Sequence, residues 1–74
     1  MRFPSKETIE QYRREYPVGC RVELVSMDDF QAPPIGTCGT VRWVDDVGNL
    51  LVHWDNGSGL NAVLGVDVVR KIRG

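Results

Sequence analysis

Turn-forming residues divide most of the chain into short segments, and this spacing limits the possible folds more than any other feature. From residue 18 onward, the runs between turns are only five to ten residues long. Runs of that length that are rich in valine, threonine and tryptophan are typical of short β-strands. The sequence therefore predicts five short strands. The interruptions, rich in glycine, proline, aspartate and asparagine, lie at residues 28–36, 46–48, 55–59 and 65–67.

Alternation of apolar and polar side chains indicates where the strands lie. Val22 and Leu24 alternate with Arg21 and Glu23, which is the pattern of a strand with one buried face. Gly39, within the second strand, indicates a close backbone approach or a strong bend. A single 3₁₀ turn is predicted before the last strand. The later strands are predicted at residues 37–45, 49–54, 60–64 and 68–72.

The N-terminal segment has a helical period instead. Ser5 is a good N-cap residue, an acid follows in the first turn, two arginines occupy the last turn, and Pro17 ends the pattern. We therefore expect residues 1–17 to form a helix packed on a barrel of residues 18–74. The apolar side chains expected to rest on the barrel are Phe3, Ile9, Tyr12 and Tyr16.

The number and order of these elements predict a fold class. Five short, bent strands suit a small closed barrel, because closure removes the exposed edges that a flat sheet would leave. A long first loop, tight middle connections and a short turn before the last strand are the order of SH3-like barrels. An OB-fold is the alternative, but it normally has longer strands. We predict a mainly β protein: a small five-stranded SH3-like barrel with a short N-terminal α-helix.

Size and charge exclude several classes of function. Seventy-four residues make one small domain. The formal net charge of −1 gives no general attraction to phosphate backbones or to anionic membranes. No apolar run approaches the roughly 20 residues that a membrane span requires. The N-terminal segment also lacks the features of a secretory signal. We therefore expect a cytoplasmic protein that does not act at a membrane.

Few residues are suited to chemistry at an active site. Cys20, Cys38 and His53 cannot complete a zinc site of usual spacing, so we expect no metal and no cofactor. The two cysteines are predicted to be free thiols, with a disulfide as the alternative. A Cys38–His53 catalytic pair has no evident third group and no oxyanion hole. We predict that the protein is not an enzyme, and the sequence identifies no small-molecule substrate. The loop aspartates are expected to bond their own turns.

The segment around the second tryptophan has the appearance of a site. Alternation with Leu50 and Val52 predicts that Trp54 points inward as part of the core. Asn56 and Gly57 form a typical hairpin signal, for which positive φ angles are expected at both residues. This segment is therefore predicted to be structural.

A series of short motifs extends over residues 16–72 and resembles a known family. The motifs are Tyr16-Pro17-x-Gly19-x-Arg21-Val22, Pro33-Pro34-x-Gly36-Thr37-x-Gly39-Thr40-Val41, Val52-x-Trp54-Asp55-Asn56-Gly57-Ser58 and Gly65-x-Asp67. With them the chain resembles the bacterial domain-of-unknown-function family 4314. The resemblance implies a small protein often encoded in phages, plasmids and integrated elements, without an established activity. A looser likeness is to the Mib-Herc domain of eukaryotic ubiquitin ligases, an SH3-like barrel that binds peptide segments of partner proteins.

Binding of a protein or peptide is the first functional hypothesis. In an SH3-like arrangement the loop at residues 28–35 and the turn at residues 55–59 flank one side of the barrel. Aromatic and proline side chains exposed there are suited to the centre of an interface. The predicted binding residues are Tyr16, Asp28, Asp29, Phe30, Pro33, Pro34 and Trp43.

Binding of nucleic acid is the alternative hypothesis. Basic side chains could contact phosphates, and Trp43 could stack on a base. Strict alternation would place Arg42 and Trp43 on opposite faces of the second strand unless a bulge intervenes. The predicted residues for this alternative are Arg42, Arg70, Lys71 and Arg73.

Overall fold

A computed structural model describes residues 3–72 of the chain. One α-helix precedes five strands that form a single antiparallel sheet, so the predicted mainly β class is confirmed. The fourth strand is shorter than predicted, and an ordinary turn replaces the predicted 3₁₀ turn before the last strand. The elements are α1 (Lys6–Glu15), β1 (Arg21–Ser26), β2 (Cys38–Val44), β3 (Asn49–Trp54), β4 (Ala62–Val63) and β5 (Val68–Ile72).

Helix α1 begins and ends where its capping residues predict. The Ser5 hydroxyl accepts a hydrogen bond from the Thr8 amide at 3.2 Å, which satisfies one free donor of the first turn. Ile9 is buried, while Tyr12 and Tyr16 pack against the edge of the core. Phe3 is exposed, so the expectation that it joins this apolar stripe is wrong.

The sheet has the strand order β4-β3-β2-β1-β5. Every pair is antiparallel, and β1 lies between β2 and β5 although β5 comes last in sequence. Strands β4 and β5 are the two edges, and no ladder joins them within residues 3–72. Closure into a barrel therefore stays a prediction.

The core lies on one face of the sheet and draws on all five strands. Trp54 is 1% exposed, which confirms the inward direction predicted from alternation. A Cβ atom on Gly39 would lie 2.5 Å from Val52 Cγ1 and 2.9 Å from Trp54 Cε3, which explains the glycine at this position. The main buried cluster consists of Val22, Leu24, Val41, Val44, Leu50, Val52, Trp54, Ala62, Leu64 and Val69.

The two cysteines are free, as predicted. Cys20 packs against the core, and burial is the main cause of the raised pKa of its thiol. Cys38 lies opposite Glu23 on β1 and donates a weak hydrogen bond to the Gly36 carbonyl at 3.7 Å. A raised pKa leaves less of the Cys20 thiol in the reactive thiolate form.

No helix in residues 3–72 has both the length and the apolar character needed to cross a membrane.

Candidate functional site

The loop between β1 and β2 is held by hydrogen bonds at its base and at its tip. At its base, the Gly36 amide donates to the Leu24 carbonyl and the Leu24 amide donates to the Thr37 carbonyl, both at 2.9 Å. At its tip, the Asp29 carboxylate accepts a bond from the Gln31 amide at 2.8 Å. These contacts define the conformation of the loop without burying its tip.

The tip of this loop presents an aromatic side chain to solvent. Phe30 is 96% exposed, and Asp28, Asp29 and Pro34 beside it are exposed as well. Pro33 is buried, so its predicted role as an exposed contact residue is wrong. The loop therefore has one buried residue, Pro33, and an exposed tip.

Trp43 and Tyr16 do not belong to this tip. The loop joins β2 at Cys38, and Trp43 lies five residues further along the strand, which is about 16 Å at the usual strand rise. The Arg13 guanidinium stacks 4.4 Å from the centre of the Trp43 ring. Tyr16, which is half-buried, packs against the core. The predicted binding residues therefore form no single surface.

A bulge in β2 changes the direction of two side chains. Val41 pairs with Val52 and Trp43 pairs with Leu51, so Arg42 is the additional residue. Both Arg42 and Trp43 are exposed as a result, whereas strict alternation would have put one of them in the core. The sequence allowed for a bulge but gave no position for it.

Most of the strand and helix arginines are already paired. Arg13 binds Asp46 at 2.9 Å, Arg21 binds Asp55 through two nitrogens, and Arg70 binds Glu23. Of the residues predicted for nucleic-acid binding, Arg70 is engaged by this ion pair, whereas Arg42 and Lys71 are exposed without an ion pair in residues 3–72. Arg73 lies outside the described residues.

The Arg21–Asp55 pair ties two strands and a loop together. The hydrogen bond from Arg21 is the main cause of the lowered pKa of Asp55. Arg21 also donates to the Thr40 hydroxyl at 3.0 Å, which links β1 to β2. The carboxylate of Asp55 therefore fixes the start of the β3–β4 connection through its pair with Arg21.

The Cys38–His53 pair has no catalytic geometry in the described residues. His53 lies opposite Thr40, and Cys38 lies two residues before Thr40 on the same strand. No hydrogen bond joins the thiol and the imidazole within residues 3–72. That the protein is not an enzyme stays a prediction.

The connection between β3 and β4 is wider than a hairpin turn. Gly57 has a φ of 85°, as predicted, but no residue other than glycine has a positive φ in residues 3–72, so the prediction for Asn56 is wrong. The Trp54 indole donates to the Leu60 carbonyl at 2.6 Å, and strand pairing resumes only at Ala62.

This wide connection creates a cleft that the sequence did not predict. Its volume is about 370 Å³. A tight hairpin would have left no space for this cleft. In the sequence, only the length of the segment between the two strands could have indicated it. The cleft is lined by parts of β2, β3 and the connection: Arg42, Leu51, Val52, His53, Trp54, Gly57, Ser58, Gly59 and Asn61.

A comparison with protein families finds a match over nearly the whole chain. The model of a domain of unknown function (DUF4314) matches residues 5–72, from the helix N-cap to the end of β5. No curated protein matches the chain, and no solved structure matches it.

Proposed function

Since the chain belongs to the DUF4314 family, a domain of unknown function, we propose that it is a non-enzymatic module that binds a protein or peptide through the tip of its β1–β2 loop. The observation that carries the proposal is the 96% exposure of Phe30. Burying a phenylalanine side chain contributes about 1.5–3 kcal/mol. A partner that buries Phe30 would gain this free energy on binding.

The loop is suited to binding because its conformation is fixed before a partner arrives. Pro33 is buried and the base is hydrogen-bonded to β1. A partner then does not have to order the backbone, and less of the interaction free energy is lost on binding. Asp28 and Asp29 immediately precede Phe30 and are exposed, so the proposed partner has an apolar pocket with a basic rim.

We also propose that the sheet curls into the SH3-like barrel. The strand order β4-β3-β2-β1-β5 supports this, as do register shifts in β1 and β2, because bulges increase twist. Ala62 of one edge strand and Val69 of the other share one core cluster. Nuclear Overhauser contacts between their methyl groups are the test, and their absence would exclude closure. An accessory role in a bacterial or mobile-element system is part of the same proposal.

The experiment for the binding proposal is a selection followed by a titration. Peptides are selected from a random library on the intact protein, and the best binder is titrated into isotope-labelled protein. We expect amide shifts concentrated at residues 28–35 and an affinity loss of about tenfold or more in Phe30→Ala. Val66→Ala truncates another exposed apolar side chain in a different turn and should leave the affinity unchanged. Equal effects of the two changes would refute the role of the loop.

A second candidate function is nucleic-acid binding. Two residues of the predicted nucleic-acid set, Arg42 and Lys71, are exposed without ion pairs in residues 3–72, and they favour it. The pairing of Arg70 with Glu23 reduces the charge available for phosphates. The test is affinity for single- and double-stranded oligonucleotides as salt is varied, because phosphate contacts give a steep salt dependence. Affinity that does not change with salt would exclude this candidate.

A further inference from the structure

Strand β4 covers only part of the outer edge of strand β3. On this side β3 pairs with β4 only through Asn49 with Val63 and Leu50 with Ala62. The remaining part of β3, residues 51–54, has no strand partner on its outer side within residues 3–72. An uncovered edge of this kind presents backbone donors and acceptors to another chain.

The direction of the free backbone groups follows from the pairing of their neighbours. The Asp55 amide donates to Cys38 on β2, whereas the Gly48 carbonyl accepts from Leu64 on the β4 side. Peptide groups alternate along an antiparallel strand. The odd-numbered residues of β3 therefore face β2, and the amide and carbonyl of Val52 face the outer edge.

Two side chains prevent the chain's own return segment from pairing with Val52. The next position of the β3–β4 ladder would join Val52 to Leu60. The Leu60 carbonyl instead accepts from the Trp54 indole at 2.6 Å, and the Leu60 amide donates to the Ser58 hydroxyl at 3.3 Å. The edge at Val52 is thus left open by specific contacts.

The open edge faces a cleft with a positive charge at its side. Val52 lines the cleft although its side chain points into the core, so its contribution is backbone. Arg42, brought to this face by the β2 bulge, also lines the cleft and has no carboxylate partner in residues 3–72. His53 lies on the same wall.

We propose that this cleft binds an extended peptide segment of a partner as an added strand. The segment forms backbone hydrogen bonds with the amide and carbonyl of Val52 and places a carboxylate beside Arg42. Val52 offers one donor and one acceptor at a single residue, and an extended backbone matches both. A simple anion would use only the donor. The cleft is separate from the Phe30 tip, so the two sites can be tested independently.

The test uses a random octapeptide library selected on the intact protein. The strongest binder that occupies the cleft is resynthesised in two forms. One form carries N-methyl groups at alternate positions, and the other has its acidic residue changed to the corresponding amide. We expect one alternate set of N-methyl groups and the amide change each to weaken binding at least tenfold. Amide hydrogen exchange at Val52 should slow at least tenfold in the complex.

Protein variants separate this proposal from the proposed function. Arg42→Gln should weaken the binder at least tenfold, while Arg14→Gln, which changes another exposed arginine without an ion pair in residues 3–72, should not. Phe30→Ala should leave this binder unaffected. Binders that require Phe30 and not Arg42 would overturn the proposal while supporting the loop.

Three further results would also overturn it. One is a selection in which no peptide depends on Arg42. Another is protection of Val52 that increases with protein concentration alone, together with a dimer in sedimentation, because a second copy would then be the occupant. The last is an oligonucleotide, rather than a peptide, whose binding depends on Arg42.

Discussion

Two loops at the same end of the sheet differ in the exposure of their aromatic side chains. The β1–β2 loop leaves Phe30 96% exposed, whereas the β3–β4 connection begins at Trp54, which is 1% exposed. The indole has a polar N–H that reaches Leu60 from inside the core, so one side chain both fills the core and fixes the loop. Phenylalanine has no such group, and the β1–β2 loop is held instead by the backbone hydrogen bonds at its base. The more conspicuous motif is therefore structural.

The largest effect is expected for Trp54. Trp54→Ala removes a buried ring and the bond to Leu60, so the free energy of unfolding should fall by about 3–5 kcal/mol. The matched control, Trp43→Ala, removes a 47% exposed ring and a cation–π contact, and should cost about 1 kcal/mol. Urea denaturation followed by circular dichroism measures both. Equal losses would show that the two rings are not used differently.

A smaller effect is expected for Gly39, which lies under Trp54. An added methyl group would approach Val52 and Trp54 within 3 Å, so Gly39→Ala should cost about 1–3 kcal/mol through overpacking. Gly59 has nothing within 4 Å of the same position. Gly59→Ala should therefore change the stability by less than about 0.5 kcal/mol. A stable Gly39→Ala would mean that the Trp54 ring can shift freely.

The β2–β3 turn extends the comparison to a loop held by a carboxylate. Burial opposes ionisation of Asp45, but bonds from Asn49, Val47 and Gly48 outweigh it and lower its pKa. A carboxyl group whose pKa is lower in the folded state than in the unfolded state stabilises the fold above its unfolded pKa of about 3.9. This stability is lost as the pH falls through the folded pKa.

Asp45→Asn should therefore destabilise by about 1 kcal/mol at neutral pH and by less at pH ~2. Asp46→Asn is the control, since the exposed Asp46 carboxylate pairs with Arg13 and has no other side-chain partner among residues 3–72, and it should change stability by less than about 0.5 kcal/mol. Unfolding free energies measured across this pH range check the difference. A cost of Asp45→Asn that does not depend on pH would contradict the role of its charge.

The smallest effect on stability is expected at the loop tip. Phe30→Ala should change the free energy of unfolding by less than about 0.5 kcal/mol, because an exposed ring loses few contacts. Pro33→Ala, in the same loop, should cost about 1 kcal/mol through lost burial and a more flexible unfolded chain. Thermal and urea unfolding of the two variants give the comparison. A large loss in Phe30→Ala would mean that the ring packs on the protein in solution.

Local signals in the sequence predicted the elements well and their assembly less well. Ser5 and Pro17 marked the helix, and alternation along β3 correctly placed Trp54 in the core. Alternation failed at Arg42, because a bulge depends on how β2 pairs with β3. The hairpin signal at Asn56 failed because the Trp54 indole bonds Leu60 and opens the connection.

The candidate sites show the same division. The loop at residues 28–35 and its exposed Phe30 followed from turn composition, and the free thiols followed from the expectation of a cytoplasmic protein. The cleft beside Val52 did not, since it requires knowing which backbone groups remain unpaired. No spacing of residues encodes that directly.

The sequence by itself determined the helix, the period-two strands, the inward Trp54 and membership of a family. These depend on capping, side-chain alternation and turn propensity, which act over a few neighbouring residues. Only the tertiary structure decided that Arg42 and Trp43 both face outward, that Pro33 is buried and that the edge at Val52 is open. Those outcomes depend on hydrogen bonds and packing between segments far apart in the chain, where several pairings compete and the lowest free energy of the whole fold selects one.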